Sequence, residues 1–529
     1  MRHTNIRGLI GRLARVAAAA LAAVATMAAH AGAPGITGPT FALNAAENFI
    51  SQPDGASIYS WGYGCTTGST PGFAPGAIGN ANCPTMQIPG PTLIVNEGDT
   101  VTVTLTNNLP TPAGNTSIIF TGFDVQSSGG VPGVLTREAA HGGTVTYTFV
   151  ATNPGTHSYY SGTQGDLQVE MGLYGAVIVR PSAVPAGCRA VSATLPNGQT
   201  DFRLAAAAYS HSSTCYDREY MFQFSEIDPR IHRAAEEIAK CVVAQGNTCA
   251  TNMNSVATEP YHPAYFMING RSMPDIMDPN YAPHYAHQPY NGNPHMHPGE
   301  LVLLRIIGQG RWQHPFHEHG NHVRILGRDG NLILSSTDPT KLAGPALFTT
   351  TTTPGQSMDG IFYWTGKGLN WDVYGHKAAS VYTDQAFPSY LGRPVVCTPD
   401  ANGYYTADPL APNYFEWCQD HNKALESRPF GNVASGGPVT LPDANILATG
   451  PWYGGSAYLG PDATVRATGP TGTVPPSGTI GNSPTEEAGF AFMWHSHNER
   501  EITTNNIFPG GMLMMMLVDP QAYVIDESN

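Results

Sequence analysis

Charged side chains are few in this chain. Only 12% of its 529 residues are Asp, Glu, Lys or Arg, and 25 basic residues face 39 acidic ones. The anionic balance repels phosphate backbones, which argues against a nucleic acid partner. Long apolar runs are also missing. Beyond the N-terminus no stretch stays apolar for eighteen residues, so no membrane span is expected. None of the eight cysteines lies beside a histidine motif. Any histidine-built metal site is thereby denied a thiolate ligand.

Glycine and proline, by contrast, are plentiful, at 59 and 44 residues. They suggest many turns between short strands rather than long helices, an all-β chain. Its length suits two to four domains of ordinary size.

The N-terminus reads as a secretory signal over residues 1–31. Arg2, Arg7, Arg12 and Arg15 precede the apolar run Val16 to Ala29, and Ala29-His30-Ala31 has the small-x-small form of a cleavage site. Without that segment 21 basic residues face 39 acidic ones, a formal charge of about −18. No consecutive arginine pair occurs, which favours export unfolded and metal loading after translocation. The expected location is periplasmic or secreted, and there the cysteines form disulfides. Pairing in order joins Cys65 to Cys83, Cys188 to Cys215, Cys241 to Cys249 and Cys397 to Cys418, one of 105 connectivities.

Alternation of apolar and polar residues predicts a strand pair over 92–107 and strands at 143–150, 172–179, 300–308, 322–330 and 511–518. Such short strands argue for Greek-key sandwiches. Residues 181–187 read as a linker, 231–242 as a helical insert, and about 376–480 as a long loop-rich insertion. The expected domains are 40–182 and 200–525.

Two His-x-His pairs carry the chemistry. His317 and His319 lie in "HPFHEHGNH", and His495 and His497 flank Ser496 in "MWHSHNERE". In strands, period two aims both imidazoles of a pair at one face. Four imidazoles without thiolate or carboxylate suit copper first and zinc second. His314 and His322 are further candidates nearby, whereas Glu318 falls on the opposite face. His284, His287, His295 and His297 form a looser cluster in an irregular loop, read as surface histidines rather than as a second metal site. Met512, Met514, Met515 and Met516 read as core rather than as a soft Cu(I) site. A zinc site performing hydrolysis lacks a carboxylate in register.

These motifs resemble those of the multicopper oxidases, exported proteins of cupredoxin fold, over roughly residues 85–182 and 260–520. The family's His-Pro-x-His-Leu-His-Gly segment stands as His314-Pro315-Phe316-His317-Glu318-His319-Gly320. Its His-Cys-His segment stands as His495-Ser496-His497, with Glu501 where a later histidine falls and Gly511-Met512 about six residues late. The blue, type 1 copper thus lacks its cysteine and second histidine. The segment usually reading Thr-Ser-Ile-His-Trp-His-Gly is Thr116 to Gly122, without histidine. In the one usually ending His-Ser-His, Tyr160 and Gly162 replace both ligands, and Gly129 replaces the acid of Asp-Gly-Val-Pro.

The resemblance therefore implies two Greek-key cupredoxin-like sandwiches, the first poor in ligands, and a reduced site of one or two coppers on His317, His319, His495 and His497. His314 is an additional candidate ligand, with Tyr160, Asp124 and His322 as surrounding groups. It implies a copper oxidoreductase acting on a small-molecule or metal-ion substrate, with electrons from substrate or an external donor. The alternative is a non-catalytic copper protein for tolerance, storage or delivery. Similarity to two-domain cupredoxins implies a homotrimer in which Tyr160, Thr121 or Asp124 of a neighbouring copy caps the site.

Overall fold

The computed structural model describes residues 32–364 with short breaks, isolated pieces between 383 and 458, residues 489–519 and residue 525. The predicted signal, the Cys397–Cys418 pair and nearly all of the 376–480 insertion lie outside the described residues.

Four large sheets stack as two sandwiches. In the first, one sheet runs in the order Gly72–Ala74, Gly35–Thr37, Leu93–Asn96, Tyr174–Arg180, Gly155–Tyr160, Ile119–Phe120. It faces the sheet Ser57–Cys65, Thr40–Ser51, Thr100–Asn108, Thr144–Val150, Gln126–Gly129. Parallel pairings such as Thr40 with Thr102 and Val177 with Leu93 mark crossovers between sheets rather than simple hairpins. The 92–107 segment, expected to be a strand pair, instead splits: Leu93–Asn96 joins one sheet and Thr100–Asn108 the other. Each strand's apolar face meets the shared core from its own side, and only a sandwich satisfies both. Leu93, Val95, Val101, Val103 and Leu105 are accordingly all buried in one cluster.

The second sandwich pairs the sheet Tyr265–Ile268, Arg218–Ile227, Leu301–Gly308, Ser357–Tyr363, Val323–Arg328, Asn331–Leu332 with the sheet His295–Met296, Leu513–Val518, Gly489–Ser496, His314–Glu318, Thr349–Thr352. Met512, Met514 and Met516 point into its core with Phe316, Phe492 and Trp494.

The helical insert forms as Pro229–Ala239. Asp228 caps it by accepting from the Arg230 amide, and Pro229 occupies the first turn, where its missing N–H costs nothing. Ile231 and Ala235 pack into the core of the first sandwich, although the sequence places them well beyond the linker. The Cys241–Cys249 disulfide closes the segment after it, and Cys65–Cys83 and Cys188–Cys215 also form.

Buried polar contacts fasten the two sandwiches. Asp359 accepts from the Thr156 amide and hydroxyl and from Tyr209, and Arg305 joins it at 3.2 Å. Tyr174 reaches Ser225 at 2.7 Å. Paired groups of this kind are strengthened by the low local dielectric, and an unpaired one would be costly. Among the described residues no helix is long and apolar enough to cross a membrane.

Candidate metal centre

The two histidine pairs sit on adjacent antiparallel strands. His317 and His495 are direct Cα partners, Glu318 faces Trp494, and Phe316 faces Ser496. The His497 amide continues the ladder by donating to the Pro315 carbonyl at 2.8 Å. Strand alternation then puts Phe316, Glu318, Trp494 and Ser496 inside and the four histidines together on the other face.

The inner residues hold this register. The Trp494 ring lies 4.9 Å from Phe362, 6.1 Å from Phe316 and 6.3 Å from Phe222, all edge-to-face. Its indole N–H donates to the His319 carbonyl at 2.9 Å. A one-residue slip would drive the histidines inward and these rings into water. Gly320 follows at φ +102, and a side chain there would press on the Phe492 ring.

On the outer face the ring of His317 is centred 4.9 Å from His319, 5.0 Å from His497 and 5.6 Å from His495. His319 and His495 approach until their Nε2 atoms are 3.3 Å apart. Two nitrogens bound at about 2.0–2.1 Å to one tetrahedral ion are separated by about 3.3 Å, so this pair already spans one edge of a coordination shell. Among the described residues no group of three or more His, Cys, Asp or Glu side chains is placed to hold a metal ion as it stands. Adding a third or fourth nitrogen requires the outer rings to turn, and His497, its side chain 54% exposed, has room to do so.

Two rings are oriented through Nδ1. His317 Nδ1 lies 2.8 Å from the Thr349 hydroxyl, and His495 Nδ1 lies 2.7 Å from the Ser496 carbonyl. Such outer contacts fix the ring and its tautomer. Burial, aided by the neighbouring imidazoles, pushes His317 down to about 4, and burial likewise lowers His495. Both are therefore neutral near pH 7, the form that binds metal. Neutral, convergent imidazoles fit copper.

The other predicted residues lie elsewhere. His314 is set apart by two carboxylates: its Nδ1 is 2.9 Å from Glu501 and its Nε2 3.0 Å from Glu226, so both ring nitrogens are engaged. Against the downward pull of burial, these hydrogen bonds raise it to about 9. The cause is its inward direction, three residues before His317 and on the opposite phase of the strand. His322 stacks edge-on against Phe348 at 5.1 Å. Tyr160 packs with the cluster containing Ile227 and Tyr265, next to Gly355. Asp124 is exposed, and the Thr121 hydroxyl is taken up by the backbone of Ser158. His284, His287, His295 and His297, expected at the surface, go to four different partners, Asp278, the Met86 carbonyl, Asp519 and Glu300, and His295 and His297 are buried, each against its carboxylate.

Sequence reasoning missed Glu226 and Thr349. Arg218–Ile227 is buried at every position despite its charged residues, and inward-facing acids on such a strand were the available signal for Glu226. Thr349 in a run of four threonines carried none.

A family model described as multicopper oxidase matches residues 83–184, a segment within the first sandwich that contains none of the four histidines. Laccase 1 of Metarhizium acridum is 39% identical over 98 residues, 18% of this chain and 15% of its own length. Laccase-1 of Emericella nidulans is 35% identical over 148 residues, 27% of this chain and 22% of its own. The chain thus spans less than a quarter of these curated relatives. Among solved structures, the blue copper oxidase from Nitrosomonas europaea aligns over 90% of this chain and 85% of its own, with 15% identity and a TM-score of 0.42.

Proposed function

We propose that this chain, a divergent member of the multicopper oxidase family, is an exported copper oxidoreductase whose metal, one or two ions, is held by His317, His319, His495 and His497. The observation that carries the reading is the pairing of His317 with His495, together with the 3.3 Å approach of His319 and His495 on the same face. Bound copper would supply one-electron exchange between Cu(II) and Cu(I), both of which imidazoles accommodate.

The protein's own part is to hold and expose the site. Trp494 and Phe316 fix the strands from behind, and Thr349 and the Ser496 carbonyl aim two of the rings. His497 leaves one flank open to water, so a small reductant has a route in. Phe348, 46% exposed, stands 5.6 Å from His317 and gives the rim an apolar wall suited to an organic reductant such as a small phenol. Ser496 replaces the thiolate that a blue copper needs, so electrons enter from substrate or an external donor directly at the histidine face. Export is supported by three disulfides, which persist in oxidising compartments.

Storage or delivery of copper is the second reading. It is disfavoured because the additional histidines are scattered and the methionines near 512 are mostly buried in the core. The experiment is metal analysis of the mature chain, loaded with copper and dialysed against a weak chelator, alongside His317→Ala/His497→Ala. One or two coppers per chain in the wild type, lost in the double variant, is the expected result. Retention of zinc alone, or of no metal, rejects the reading.

A further inference from the structure

Behind the four histidines lies a second cluster that contributes no nitrogen to their face. Its members are Glu226 in the Arg218–Ile227 strand, His314 at the start of its own strand, and Glu501 and Ser496 in the C-terminal segment. All four are at most 1% exposed. His314 is gripped at both nitrogens by Glu226 and Glu501, and the Ser496 hydroxyl donates to the same Glu501 oxygen that meets His314.

Two buried carboxylates around one imidazole are tolerable only because donors surround them. Glu226 also accepts from the Arg311 and Trp312 amides at 2.7 and 2.9 Å and from the Tyr261 hydroxyl at 3.2 Å. The same Tyr261 oxygen lies 2.7 Å from Glu170 of the first sandwich, and its single proton serves one of the two carboxylates at a time. On the other side, the second Glu501 oxygen takes the Asn498 side-chain amide at 2.8 Å. The Ser496 hydroxyl also accepts from the Asn498 amide at 3.2 Å. Ser496 is the residue between two of the four outward histidines, so whatever fixes it fixes their spacing.

We infer that Glu226, His314 and Glu501, linked to Ser496, form a charged clamp that locks the His495–His497 segment in register over His317 and His319. His314 is then a positioning residue and not a metal ligand. The inference rests on the copper reading for its consequence, though the clamp itself is a property of the metal-free chain. Its geometry explains why Ser496 is buried with a hydroxyl at that position: a hydrogen-bond donor is needed to meet Glu501, and alanine would remove the direct link from the 495–497 segment to the His314–Glu501 pair.

The test uses the whole mature chain with and without copper, in Ser496→Ala, Ser496→Thr and Glu501→Gln forms. Circular dichroism checks folding. Amide hydrogen exchange at Ser496 and His497 in the metal-free chain is expected to quicken at least tenfold in Ser496→Ala and Glu501→Gln, and to return toward wild type in Ser496→Thr. In the copper-loaded chain the same two variants are expected to change the Cu(II) hyperfine pattern in electron paramagnetic resonance, with threonine restoring it. Unchanged exchange in the folded variants overturns the clamp, and an unchanged spectrum overturns its role in positioning the ligands. Should Ser496→Ala fail to fold, Glu501→Gln supplies the same comparison. If the wild type retains no copper, the copper reading falls, and the exchange rates still decide the clamp.

Discussion

His317 and His495 are Cα partners across an antiparallel pair, with rings centred 5.6 Å apart, although 178 positions separate them along the chain. A site divided between distant segments depends on strand register, and the register here is set from the inner face by Trp494 and Phe316. Each pair by itself is too sparse to hold a metal firmly.

Single replacements should therefore be graded. His495→Ala, buried and at the 3.3 Å contact, is expected to lower copper retention at least tenfold. His497→Ala, on the exposed edge, should cost less because water can take its coordination position. Competition titrations with a copper chelator measure both, and equal losses would argue against the asymmetric site.

Trp494→Ala tests the inner face directly. Removing a fully buried indole costs about 3–5 kcal/mol in stability, and it also frees the His319 carbonyl that the indole N–H holds. Thermal unfolding should reveal the loss. Trp494→Phe, which keeps most of the ring volume, is expected to recover much of the stability but not the hydrogen bond to His319.

The His314 clamp has a pH signature in the metal-free chain. His314 is raised to about 9 in the fold against 6.5 as its ordinary value, so the folded state holds the extra proton between those values. Its contribution is complete below about pH 6.5 and is lost as pH rises through about 9. Unfolding midpoints measured from pH 6 to 10 should fall along this limb, and Glu226→Gln/Glu501→Gln should flatten it.

Glu318 is expected to behave as an acid the fold would be better without. It is fully buried, one oxygen accepts from Thr350, and the other lacks a hydrogen-bond partner. Burial pushes it up to about 8, so it is protonated at neutral pH, and its presence destabilises the fold increasingly as pH rises from about 4.5 to about 8. Glu318→Leu should stabilise the chain by about 1–3 kcal/mol. The gain should grow with pH over that window, as followed by urea unfolding at pH 5 and pH 8.

Much of the fold was legible in the chain because strand alternation is a local property. The strands at 143–150 and 300–308 form within one residue of their expected bounds. Alternation could not assign Leu93–Asn96 and Thr100–Asn108 to opposite sheets, since partner choice is decided by contacts hundreds of atoms away. The same limit applies to the helix: the sequence placed it at 231–242, near the observed Pro229–Ala239, but not against the sandwich it covers. Of the site, the two His-x-His pairs and the inward phase of Glu318 follow from period two.

What the sequence determined by itself is the donor chemistry: imidazoles in pairs, a serine between two of them, and no thiolate near either. The tertiary structure decided which histidines share a face. His314 stands three residues from His317, yet the strand turns it inward to Glu226, 88 positions away, and Glu501, 187 positions away. Sequence spacing records only which residues have the same phase along a strand. Which carboxylates await a side chain on the buried side is fixed by sheet pairing, and by the need for every buried charge to find a partner.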